Sequence, residues 1–93
     1  MPAWTVTLHR HVEKQYQTLP QAVQDRFRLL IEDLETQGPV RGNWPNYSKL
    51  DATRHHCHLK KGRPTYVAVW AVTNARHRTI EVLYVGTYAN APY

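Results

Sequence analysis

The sequence predicts an α+β fold: an N-terminal strand, a two-helix hairpin, then a four-stranded antiparallel meander with the helices packed on one face. Three observations predict it. Val23, Phe27, Leu30, Ile31 and Leu34 form one apolar stripe at helical spacing. The runs TYVAVWAV (65–72) and TIEVLYV (79–85) are apolar and rich in β-branched and aromatic residues. Turn chemistry separates the later strands by only a few residues, which favours antiparallel neighbours.

Each element follows in order. Trp4 to Leu8 alternates apolar and polar residues, the pattern of a half-buried strand. His9 to Gln17 places Val12 and Tyr16 four apart and reads as a short helix. Thr18-Leu19-Pro20-Gln21 resembles a capping box for the long helix, with Thr18 capping and Gln21 reaching back. Gly38-Pro39 ends that helix. Val40 to Tyr47 is a loop in which Trp44 is expected to plug the core edge. Short strands follow at Tyr47 to Leu50 and His55 to Lys60, then a turn at Lys61-Gly62-Arg63-Pro64. Thr65 to Val72 is expected to be the central strand. Asn74 to His77 is a turn, Thr79 to Val85 the last strand, Gly86 its break, and Thr87 to Tyr93 a tail.

Composition narrows the function. With 93 residues, the span 1–93 is expected to form one domain. No apolar run reaches the roughly 18–20 residues of a membrane span, and no signal-peptide pattern opens the chain. A single Cys makes no internal disulfide, so a cytoplasmic location is expected. A transporter, a disulfide scaffold and a dinucleotide-binding domain are excluded. The net charge of +5 is unevenly spread. Residues 41–78 hold eight Lys and Arg against Asp51 alone, a local net of +7, and four of the six His. A block of that kind suits a polyanion.

Two constellations could carry chemistry. In His55-His56-Cys57-His58, strand alternation sends His56 and His58 to one face and His55 and Cys57 to the other. No second Cys completes a zinc pattern, so no metal is assigned, and Cys57 reads as a small buried apolar residue. The second constellation is Lys49, Arg54, His58, Lys60, Lys61 and Arg63. A His among cations can have its pKa held at or below neutrality and so serve as a base. The cations can hold a phosphate and stabilise charge developing on it. That combination suits RNA cleavage by attack of the 2′-OH on its own phosphate, which needs a proton acceptor, a proton donor and positive charge. Tyr84 is expected to pack in the core, while Tyr88 and Tyr93 could stack on bases or donate a proton.

The order β-α-α-β-β-β-β, the LP..VQDRF start of the long helix, Ser48-Lys49-Leu50, the run Lys61 to Trp70 and the closing Y-V-G-T resemble the RelE/ParE superfamily of toxin–antitoxin toxins, in particular its RelE-type branch. The resemblance implies a microbial RNase-like fold, cleavage of mRNA in the ribosomal A site, and an antitoxin that wraps the toxin. It implies no cofactor and no small-molecule ligand. It places basic site residues where His58 and Lys60 fall and a terminal Tyr near Tyr93, with Arg63 the nearest substitute for a family Arg. Taken with the constellation above, the expected site is His58, Lys60, Arg63, Tyr88 and Tyr93, and Lys49, Arg54 and Lys61 are expected to contact RNA. Val67 stands where the family carries a central-strand Arg, and Tyr88 where it carries a basic residue or His. ParE-like members of the superfamily inhibit DNA gyrase, which requires no proton transfer. The His and Lys cluster favours the RNase reading.

Overall fold

The computed structural model describes residues 3–93. Its elements are β1 (Thr5–Leu8), α1 (Arg10–Gln17), α2 (Gln21–Gln37), β2 (Ser48–Lys49), β3 (Arg54–Lys60), β4 (Tyr66–Asn74) and β5 (Thr79–Thr87). A short 3-10 turn (Tyr88–Asn90) follows β5. The sheet order is β1-β5-β4-β3-β2, so β4 is the central strand. The last four strands form the expected antiparallel meander. The first strand adds what its sequence does not indicate: β1 pairs parallel to β5, with Thr5 opposite Thr79 and Leu8 opposite Val82. The α1–α2 hairpin is long enough to serve as the crossover a parallel pair requires.

The helices bury their apolar stripe against one face. Val12, Val23, Phe27, Leu30 and Leu34 pack with Cys57, Leu59, Ala68, Trp70, Ile80, Val82 and Val85. Full burial of a Val, Leu or Phe side chain stabilises by roughly 1.5–3 kcal/mol. Trp70 is wholly buried and still satisfies its indole, donating Nε1–H to the Pro39 carbonyl at 3.0 Å. Trp44 does plug the core edge. Its Nε1 donates to Asp33 Oδ2 at 2.8 Å, and the Arg26 guanidinium carbon lies 4.5 Å from its ring centroid. The loop is thereby pinned to α2, and its Pro45 carbonyl accepts from His58 N at 2.8 Å. Core packing and the position of β3 are tied through that loop.

Four local expectations change. The capping box does not form: Thr18 ends α1, donating Oγ1–H to the Gln15 carbonyl at 2.7 Å. Pro20 is the N-cap of α2 without a side-chain bond, and Gln21 turns to Asp25. Leu50 lies outside β2, which is two residues long. Gly86 does not break β5; it pairs with Val67 inside the strand. Tyr84 is half-buried and outside the core cluster, because β5 turns it to the face away from the helices. Its hydroxyl donates to the Thr87 carbonyl at 2.7 Å.

Candidate active site

β3 and β4 carry side chains on both faces, and the face away from the helices is the unusual one. Val67, Val69 and Ala71 are buried there, yet they belong to no part of the helix-side cluster. Across the ladder, His56 sits opposite Val69 and His58 opposite Val67. The C-terminal segment folds back toward the same face. Tyr88 N donates to the Thr65 carbonyl at 2.8 Å, and the turn closes with Ala91 N donating to the Tyr88 carbonyl at 3.1 Å. The tail thus brings Tyr93 onto His56, with ring centroids 4.5 Å apart. Tyr88 stands 5.8 Å from His58, and the two tyrosines 6.0 Å from each other. His56 and His58, at 6.3 Å, close a circuit of four rings.

Polar contacts tie the circuit to β2. Ser48 Oγ lies 2.6 Å from His56 Nε2, and Tyr93 Oη lies 3.2 Å from His56 Nδ1. Both ring nitrogens of His56 are therefore engaged. His58 Nδ1 is enclosed without a hydrogen-bond partner among the described residues. Burial holds the pKa of His56 below the ordinary value, and the neighbouring His58 lowers it further. Burial likewise lowers His58, assisted by the charge of Lys61. Both imidazoles are neutral near pH 7, the state a base requires. Tyr93 leaves 42 % of its surface exposed, but its hydroxyl is turned toward His56. Burial at that end, with Tyr88 beside it, pushes the phenol up to about 12, so it stays protonated and able to donate.

The cations divide into two sets. Lys60, Lys61 and Arg63 are exposed around the end of β3 and its following turn, which Thr65 closes by donating to the Gly62 carbonyl at 2.9 Å. A register shift separates Lys60 from His58 and places Lys60 opposite Tyr66. The simple alternation that would put His58 and Lys60 on one face is interrupted there. Lys49 is exposed on β2 opposite His55. Arg54 lies at the other end of β3, four residues or about 13 Å along the strand from His58. It is paired with Asp51, Nε to Oδ2 at 2.7 Å, and that contact, with the Thr53 and Arg54 backbone amides, holds the Asp51 carboxyl at about 2. The structure therefore brings His58, Tyr88 and Tyr93 together around His56 and leaves Arg54 apart.

The other face explains the remaining members of the His-rich stretch. His55 stacks on Trp70 with planes 4° apart, and its Nδ1 lies 2.7 Å from Tyr47 Oη. Burial lowers its pKa, so it acts as a neutral core residue. Cys57 is wholly buried, and burial pushes its thiol up to about 12. Among the described residues no three His, Cys, Asp or Glu side chains converge. Sequence reasoning placed His56 beside His58 without giving it a role, and it missed Ser48. The alternation signal was enough for His56. Ser48 becomes visible only through the β2–β3 register, where it sits opposite His56.

No family model and no curated protein matches the chain. Among solved structures, it is similar to a chain of the archaeal RelE–RelB complex from Pyrococcus horikoshii OT3. The match has a TM-score of 0.69 at 22 % identity and covers 95 % of this chain and 98 % of that one. The fold is of the RelE type.

Proposed function

We propose that this chain is the toxin of a toxin–antitoxin pair and that it cleaves messenger RNA on the ribosome. The observation that carries the reading is the pairing of two neutral imidazoles with two phenols on an open sheet face, bordered by Lys60, Lys61 and Arg63. His58 would accept the proton of the 2′-OH as that oxygen attacks the adjacent phosphorus. Tyr93 would give a proton to the departing 5′-oxygen. The products are a 2′,3′-cyclic phosphate and a free 5′-hydroxyl, and no protein nucleophile or metal takes part. Lys60, Lys61 and Arg63 would stabilise charge on the phosphate, and Tyr88 would offer a ring for base stacking. Lys49 would contact the RNA backbone. Arg54 would do so only on leaving Asp51.

The fold's similarity to a chain crystallised as a RelE–RelB complex supports an antitoxin as the protein partner. An open apolar groove between β1 and the helices, lined by Leu8, Tyr16, Phe27 and Ile31, offers a surface for an amphipathic segment. The basic block would speed association with an acidic partner.

The test is cleavage of a defined mRNA by the purified protein, with and without programmed ribosomes, with EDTA in the ribosome-free arm and the 5′ ends mapped. Cuts confined to the ribosome arm, at a fixed place within codons, are expected. The double variant His58→Ala, Lys60→Ala should be folded and silent. Absence of cuts in both arms from folded wild-type protein would sink the nuclease reading. Val67 and Tyr88, at positions where a basic side chain is expected, would then point to a ParE-like gyrase inhibitor or an antitoxin-binding relative without catalysis.

A further inference from the structure

We propose that His56 is a positioning residue, fixed by Ser48, that holds the Tyr93 hydroxyl in the orientation of a proton donor. The proposal rests on the nuclease reading for its chemistry and on geometry for its substance. Ser48 Oγ, His56 Nε2, His56 Nδ1 and Tyr93 Oη form a continuous chain with links of 2.6 and 3.2 Å. It joins the edge strand β2, β3 and the C-terminal segment, three parts of the chain that share no local sequence.

The direction of the chain decides its use. A neutral imidazole has one donor nitrogen and one acceptor nitrogen. Were Tyr93 to donate to Nδ1, its proton would be committed to the protein. Were Ser48 to donate to Nε2 instead, Nδ1 would carry the proton and donate to Tyr93 Oη. The phenol's own proton would then be free to point away from His56, toward a substrate oxygen. This second arrangement is the one proposed: the Ser48 hydroxyl, able to donate as well as accept, donates to Nε2 from the β2 position opposite His56. As the leaving 5′-oxygen takes the phenol proton, the phenolate left behind is met by the Nδ1–H donor. A charge-assisted bond of this kind is roughly twice as strong as a neutral one. The phenolate regains its proton from water after product departs.

The groups facing His56 are few: Ser48 from β2, His58 on its own strand, and Tyr93 from the tail. Among the described residues no carboxylate contacts the ring. Nothing there favours imidazolium, which has no acceptor nitrogen and would reverse the bond with Ser48.

Two measurements test the proposal. Long-range 1H–15N spectra of histidine-labelled protein read the tautomer of His56 whether or not the protein is active. Protonation at Nδ1 is expected, with a shift toward mixed tautomers in Ser48→Ala. Protonation at Nε2 in the wild type overturns the proposal. Single-turnover cleavage on programmed ribosomes supplies the second readout. His56→Ala should lower the chemical rate by about 30-fold or more while the KM for ribosomes changes little. His56→Asn, whose amide N–H can occupy the place of Nδ1–H, should restore most of the rate. In a Tyr93→Phe background, His56→Ala should cost nothing further, because its effect runs through the phenol. Additive losses, or a failed rescue by folded His56→Asn, overturn the proposal. A silent wild type defeats the nuclease reading instead, and the spectra still score the hydrogen-bond chain.

Discussion

A methyl group added at Gly86 would lie 2.7 Å from the hydroxyl oxygen of Tyr84. That hydroxyl is not free to swing aside, since it donates to the Thr87 carbonyl at 2.7 Å. The tyrosine arches over the glycine two residues on along the same strand face, so the glycine is required by close approach within β5. Gly86→Ala should destabilise the protein by about 1–3 kcal/mol, the usual cost of overpacking a filled space. Urea unfolding checks it. The double variant Tyr84→Leu, Gly86→Ala should be more stable than Gly86→Ala alone, because the clash is gone. An alanine that costs nothing would show that the ring is not held where it is described.

Trp44 and Asp33 fasten the 40–47 loop to α2. The indole is buried and donates to the carboxylate at 2.8 Å, while Asn43 Nδ2 donates to the same oxygen at 3.3 Å. Asp33→Ala leaves the indole N–H without an acceptor and should cost about 1–3 kcal/mol. Trp44→Ala should cost about 3–5 kcal/mol through the lost packing. Pro45 in the same loop accepts from His58 N, so both variants should also broaden the backbone amide signal of His58. Loss of stability without any change at His58 would separate the loop from the site.

Much of the fold was legible because it is written in local periods. The stripe from Val23 to Leu34 and the apolar runs of β4 and β5 need no knowledge of distant partners. Alternation alone divided His56 and His58 from His55 and Cys57. The unread features depend on contacts far apart in the chain. Ser48 reaches His56 through a strand register, and Tyr93 reaches His56 across 37 residues. No local pattern encodes the path of the tail after Thr87. Thr18 was misassigned for a different reason: its hydroxyl had two competing uses, and the C-terminus of α1 takes it.

His58 is the predicted base, and its removal should be felt in rate. Cleavage by His58→Gln on programmed ribosomes should fall by roughly 10²–10⁴-fold, the usual contribution of a general base. Burial and Lys61 hold the imidazole below its ordinary pKa. The wild-type rate should therefore stay level from pH 8 down past the ordinary histidine value of 6.5 and decline only in more acid solution. His58→Gln should lack that acid limb. A variant that keeps both the rate and the limb would remove His58 from the mechanism.

Stability should carry its own acid dependence, set by three histidines together. His55, His56 and His58 all have folded pKa values below the unfolded value of 6.5, in each case chiefly because burial disfavours the charged ring. Above that value the rings are neutral in both states, and their contribution to folding is fully present. As the pH falls through it, the unfolded chain binds protons that the folded chain refuses, and stability drops until the folded pKa values are passed. Asp51 acts in a separate and lower window. Its carboxyl sits at about 2 when folded against 3.8 ordinarily, so its contribution is lost as the pH falls below that ordinary value toward 2. Urea midpoints should be level between pH 8 and 7, decline below 6.5, and do so with an unchanged m-value. His56→Asn, which keeps a neutral polar group on β3, should make the first decline shallower. A midpoint that stays flat through that first window would mean the three rings are not buried as neutral imidazoles.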